Sequence, residues 1–116
     1  MKLESILSNF AQVGNVEGVA IVTRDGLLVA SRLPKEVDGG VFSAMTAAMH
    51  AAGETAVKEM KKGDCRVVTA ESDRHIIMAN SLDRSRILVA LFDSSANLGL
   101  IRLELFKTAN ELRELF

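Results

Sequence analysis

The chain has 116 residues, with 14 basic and 15 acidic side chains, a net charge of −1, 48% hydrophobic residues and 25% charged ones. That length suits one compact domain spanning residues 1–116, and the composition is that of an ordinary folded chain, neither disordered nor membrane-embedded. A balanced charge with no basic run interleaved with aromatics offers nucleic acid no electrostatic footprint, and no apolar run approaches the ~18 residues of a membrane span.

In chain order, MKLESILSNF opens with charges at Lys2 and Glu4 and lacks the unbroken apolar core of a signal peptide. The lone Cys65 closes no intrachain disulfide, which agrees with a reducing compartment, so the expected location is cytoplasmic. Leu3, Ile6, Leu7, Phe10 and Val13 recur at the spacing of one helix face, and Gly14-Asn15 supplies the stop. GVAIV (18–22) is apolar at every position, as a strand covered on both faces requires. Asp25-Gly26 then reads as a two-residue hairpin turn into a second strand over 27–33. PKEVDGG (34–40) is a strand-to-helix connection, followed by a second helix that ends near Gly63.

Three more strands fit at 65–72, 74–82 and 86–92, with turns around Asp73 and at 83–85. Ser94 or Ser95 is the expected cap of a last helix, with Leu98, Ile101, Leu105, Leu112 and Phe116 along one stripe, widened by Leu100, Leu103 and Phe106. The order α-β-β-α-β-β-β-α predicts a three-layer α/β/α sandwich around a five-stranded, mainly antiparallel sheet. The two fully apolar strands, 18–22 and 87–92, belong at its centre.

The second helix raises a packing problem. On its wheel Met45, Met49, Ala52, Ala56 and Met60 form the apolar centre, expected to lie on the sheet. Phe42, Gly53 and Val57 flank it on one side, and Ala44, Ala48 and Ala51 on the other. Ser43, His50, Glu54, Lys58 and Lys61 hold the rest. The apolar arc covers roughly two-thirds of the circumference, against the ~100° stripe that one sheet hides. The small flank of Ala44, Ala48 and Ala51, extended by Ala47 and Thr55, would admit a second helix at close range, and the expected one is the same helix of a second copy. The plainer alternative is that these alanines are good helix formers tolerated on a partly exposed surface.

Residues for chemistry are sparse. His50 and His75 are the only histidines and share no ligand spacing with Cys65, so no metal site, cofactor or catalytic residue is expected. His50 reads as a solvated helix residue and His75 as a strand or turn residue. Asp38-Gly39-Gly40 is neither a Walker loop nor a dinucleotide fingerprint. The chain is not expected to be an enzyme.

Four motifs in order carry a family resemblance: RDGLLVAS (24–31), FSAMTAAM (42–49), ILVALF (87–92) and NLGLIRLEL (97–105). Together they resemble the Roadblock/LC7 family, in its prokaryotic branch. The resemblance implies a homodimer whose sheets join edge to edge with the two middle helices side by side. The joining strand would run from Cys65 to Ser72, with Cys65, Arg66, Val67, Val68, Thr69 and Ala70 at the seam beside the helix-two residues Ala44, Ala48, Ala51 and Thr55. Members form platforms for Ras-like small GTPases, so a non-catalytic regulatory or scaffold module is implied, with Glu54, Lys58 and Lys61 as candidate partner contacts. Those three could equally serve solubility, including a Glu54 to Lys58 helix pair. Eight arginines (Arg24, Arg32, Arg66, Arg74, Arg84, Arg86, Arg102 and Arg113) could in principle reach a γ-phosphate, and the sequence does not choose among them. A second functional class, a small-molecule sensor of PAS or profilin-like type, shares this architecture and would need a cavity lined by converging polar groups.

Overall fold

The computed structural model describes residues 2–116. Its elements are α1 (Lys2–Ala11), β1 (Val16–Thr23), β2 (Leu28–Arg32), α2 (Gly39–Glu59), β3 (Val67–Glu71), β4 (His75–Ser81), β5 (Arg86–Asp93) and α3 (Leu98–Arg113), in the predicted order. The sheet runs β2-β1-β5-β4-β3 with every neighbouring pair antiparallel. β5 is the middle strand with β1 beside it, because only fully apolar strands can be covered on both faces.

The pleat divides the core in two. Val19, Ile21, Leu88 and Phe92 point toward α1 and α3, where they meet Ile6, Leu7, Phe10, Leu105 and Leu112. Ala20, Val22, Ala79, Ile87 and Val89 point the other way, toward α2. Helices one and three thus share one layer, and α2 lies alone on the opposite face. The α2 side is built from much smaller side chains, which decides how that helix sits.

Four local expectations are corrected. The β1–β2 connection is a three-residue loop, closed by Thr23 N–H to Leu27 O at 2.8 Å and Gly26 N–H to Thr23 O at 2.9 Å. Gly26, at φ 92°, takes the left-handed position that such a loop needs, where a side chain would be strained. The register slips next to it, with Val22 opposite Leu28 and Ile21 opposite Ala30, so that Val29 bulges out. β3 starts at Val67, two residues later than expected, and Cys65 and Arg66 precede it.

At the last helix the cap is Asn97, whose side chain accepts from Leu100 N–H at 3.0 Å, and neither Ser94 nor Ser95 fills that role. Ser95 instead donates its hydroxyl and its N–H to the Asp93 carboxylate at 2.7 and 2.8 Å, which holds that carboxyl below its usual range. The α3 stripe also narrows: Ile101, Leu105 and Leu112 are buried, while Leu98 and Phe116, and Leu100 and Leu103 of the expected widening, stay exposed. Phe116 lies past the helix end, with the Arg86 guanidinium 4.0 Å above its ring.

Candidate interaction surface

α2 starts where Asp38 caps it, its side chain accepting from Val41 N–H at 3.0 Å. Its sheet-facing side is not the methionine-rich arc. Ser43, Thr46, Ala47 and His50 are the buried positions, while Met45, Ala48, Ala52, Ala56 and Met60 face outward. This reverses the wheel assignment except at Met49, which still packs against the sheet-side core, and it takes Ala47 out of the small flank; the reason is steric. Ser43 donates to Gly40 O at 3.1 Å and Thr46 to Phe42 O at 2.8 Å, so both hydroxyls are satisfied within the helix and can be buried without an orphaned donor. Short side chains over a sheet floor of Ala20 and Ala79 let the helix axis come close. At Gly53 the approach is too tight for a side chain: a Cβ there would overlap the Val68 Cγ2 methyl of β3.

The outcome is an unpartnered apolar helix face. Val41 and Met45 are each 60% exposed and Met60 67%, and the predicted seam residues Ala44, Ala48, Ala51 and Thr55 are all exposed among them. Next to this face runs β3, an edge strand paired only with β4. Of the six residues expected at the seam, Val67, Val68, Thr69 and Ala70 lie on it and Cys65 and Arg66 lie just ahead of it. An unpaired edge and an apolar helix side therefore lie next to each other, each of which soluble proteins normally cover.

The partner-contact candidates separate. Lys58 and Lys61 are exposed, Lys61 in the left-handed conformation (φ 57°) that ends the helix. Glu54, expected at the surface and paired with Lys58, is instead half-buried and bound to Arg24, whose Nη1 donates to Oε1 at 2.6 Å. Arg24 also donates from Nη2 to Ser81 Oγ at 2.7 Å and to Asp83 O at 2.9 Å. One guanidinium thus ties the β1–β2 loop to α2 and to the β4–β5 turn. That turn is held in its own right by Asp83. Burial opposes ionisation of Asp83, but bonds from Ser85 N–H, Arg86 N–H and the Arg86 guanidinium, all at 2.8 Å, outweigh it and keep the carboxyl below its usual range.

His50 is the larger correction. It has no exposed surface, its Nδ1 lies 3.4 Å from Glu54 Oε1, and neither ring nitrogen has a hydrogen-bond partner. Its four-residue spacing from Glu54 was visible in the sequence, whereas Arg24, thirty residues from Glu54, gave no signal. His75 begins β4 as expected, exposed and 2.9 Å from Glu17. Burial, reinforced by the Glu54 charge, pushes the Cys65 thiol up, away from the thiolate a nucleophile needs. Among the described residues no three His, Cys, Asp or Glu side chains group as a metal site, and no helix is long and apolar enough to cross a membrane.

The arginines also sort themselves. Arg24, Arg86 and Arg113 are committed to internal hydrogen bonds, Arg32 lies 3.9 Å from Glu4, and Arg102 stacks on Phe106. An open cleft of about 520 Å³ lies beyond the start of β3, lined by Cys65, Arg66, Asn80, Leu82, Phe106 and Asn110 among others.

The Roadblock/LC7 domain family matches residues 2–92. The chain belongs to that family. Among relatives it is 29% identical over 114 residues to uncharacterized protein MJ0310 of Methanocaldococcus jannaschii, covering 98% of this chain and 99% of that one. Among solved structures, Myxococcus xanthus MglB superimposes with a TM-score of 0.92 at 23% identity, covering 100% of this chain and 95% of MglB. A Roadblock/LC7 domain from Streptomyces avermitilis gives 0.88 at 17% identity, covering 96% and 94%. Acanthamoeba castellanii profilin II gives 0.62 at 18% identity over 88% of each chain, so the Roadblock/LC7 architecture here shades into the profilin-like one named as the sensor alternative. At these identities the structures share a fold with this chain. Family membership supports a regulatory or scaffold role.

Proposed function

We propose that this Roadblock/LC7 chain is a non-catalytic homodimeric platform that binds a Ras-like small GTPase and biases its nucleotide state. The carrying observation is the apolar outer face of α2, from Val41 to Met60, beside the free edge of β3. Two copies joined at β3 would continue the sheet and bring their α2 helices together, with Ala44, Ala48, Ala51 and Thr55 allowing close approach. Met45 and Ala52, assigned to the sheet by the wheel, join this seam. Ala48→Glu should leave the subunit folded, because the site is solvent-facing in one copy, and yield a monomer by light scattering. A dimer of unchanged mass would overturn the seam.

A GTPase would meet the platform through charged groups around the helices, and Lys58 is the candidate, on the rim of a groove shared with Asp64, Cys65 and Arg84. Glu54 is occupied by Arg24 and takes a supporting place. Arg66, Arg74 and Arg84, which make no side-chain hydrogen bond or ion pair among the described residues, are the arginines open to a partner. A partner shifts a nucleotide equilibrium only through unequal affinity for its two states. Capture of a small GTPase from the source cell should therefore be stronger with a GTP analogue than with GDP, or the reverse, and Lys58→Glu should weaken it about tenfold, roughly one lost charge-assisted contact. Equal capture in both nucleotide states would refute the regulatory half of the proposal.

A further inference from the structure

Among the described residues, His50 is the one buried side chain that can change charge near neutral pH. The sheet beneath it presents Ala20, Val22, Ala79, Ile87 and Val89, all uncharged. The charged groups facing it are Glu54 from its own helix and Arg24 from the β1–β2 loop. Asp83 turns its carboxylate to Arg86, and Lys58 opens onto the surface groove. Glu54 Oε1 is therefore a shared acceptor, 2.6 Å from Arg24 Nη1 and 3.4 Å from His50 Nδ1.

A neutral imidazole tolerates this setting at the cost of a poorly placed polar group. An imidazolium would carry two N–H donors. One would point at Glu54 Oε1, which Arg24 already holds at 2.6 Å, so that two cations would crowd one oxygen, and the other, at Nε2, has no acceptor and would sit unpaired in an apolar layer. We propose that His50 is a proton-sensitive latch: neutral, it lets α2 lie flat on the sheet; protonated, it competes with Arg24 for Glu54 and loosens α2 together with the outward face it carries. The latch stands on the subunit alone and does not require the dimer or a GTPase.

The titration runs the same way. Burial lowers the His50 pKa from its ordinary 6.5, with Arg24 adding to the effect and Glu54 opposing it. Below 6.5 the unfolded chain binds the proton first, so the stabilisation is complete above that pH and is lost as pH falls toward the lower folded value. His75, exposed beside Glu17, is the only other histidine and serves as the control.

The test is amide hydrogen exchange over residues 43–54 between pH 7.5 and 5.0, corrected for intrinsic rates, alongside the NMR titration of both histidine rings. Wild type should lose about tenfold protection across α2 for each pK unit by which the folded ring is displaced. His75→Gln should behave as wild type and His50→Gln should show a flat profile. The same loss of protection in His50→Gln, or a His50 ring that titrates at 6.5 or above, would overturn the latch. Should His50→Gln fail to fold, the wild-type ring titration decides by itself.

Discussion

Gly53→Val is expected to lower stability by about 3 kcal/mol and the thermal midpoint by about 10 °C, read by calorimetry. Intrinsic helix preference alone predicts the opposite sign, since glycine inside a helix costs about 1 kcal/mol relative to alanine. The crossing of α2 over β3 reverses it. Even a Cβ at position 53 would overlap Val68 Cγ2, and valine adds two further methyl groups in the same direction. Val68 is β-branched, has few rotamers to retreat into, and sits on an edge strand that pairs on one side only. The strain should therefore appear as loss of β3 rather than of the central strands. A two-step control separates clash from propensity: in a Val68→Ala background, Gly53→Ala should become stabilising by up to about 1 kcal/mol, because the obstacle is gone and only the helix preference remains. If Gly53→Ala destabilises equally in both backgrounds, the close approach is not what glycine provides.

Arg24→Ala should cost about 2 kcal/mol, the range expected for charge-assisted hydrogen bonds lost from a half-buried site. The guanidinium serves Glu54, Ser81 and Asp83 O at once, and its removal leaves a part-shielded carboxylate on α2 facing no cation except a protonated His50. Side-chain exposures of 28% for Arg24 and 29% for Glu54 admit solvent, so the pair itself should account for only about 1 kcal/mol in a double-mutant cycle with Glu54→Gln. The rest belongs to the carbonyl and hydroxyl contacts. A coupling energy near zero would show that Arg24 organises the β4–β5 turn without holding α2.

Much of the fold was legible. Apolar runs at 18–22 and 87–92 can only be strands covered on both faces, and they lie at the centre of the sheet. The turn at Asp25-Gly26 and the helix periods likewise placed the remaining elements to within a few residues. The face of α2 was not legible, because a hydrophobic wheel assumes that the largest apolar residues turn inward. Here the floor is alanine and valine with a single buried isoleucine, Ser43 and Thr46 satisfy their own hydroxyls on helix carbonyls, and the small polar side seats more closely than Met45 or Met60 could. The Arg24–Glu54–His50 cluster was hidden for another reason: two of its members are near in sequence, but the third arrives only when β1 and β2 fold back beside α2. The seam residues Ala44, Ala48, Ala51 and Thr55 were chosen by size rather than by inwardness, so their exposure in a single subunit does not depend on the part of the wheel that was wrong.

The displaced Val29 has a consequence for how large an assembly can grow. Two subunits fused along β3 would finish on β2 at either flank, where a pairing irregularity and the nearby Pro34 interrupt the regular ladder that an incoming chain would need. Such a ribbon would terminate itself after two copies, its outer borders discouraging the polymerisation that the proposed union along β3 could otherwise begin.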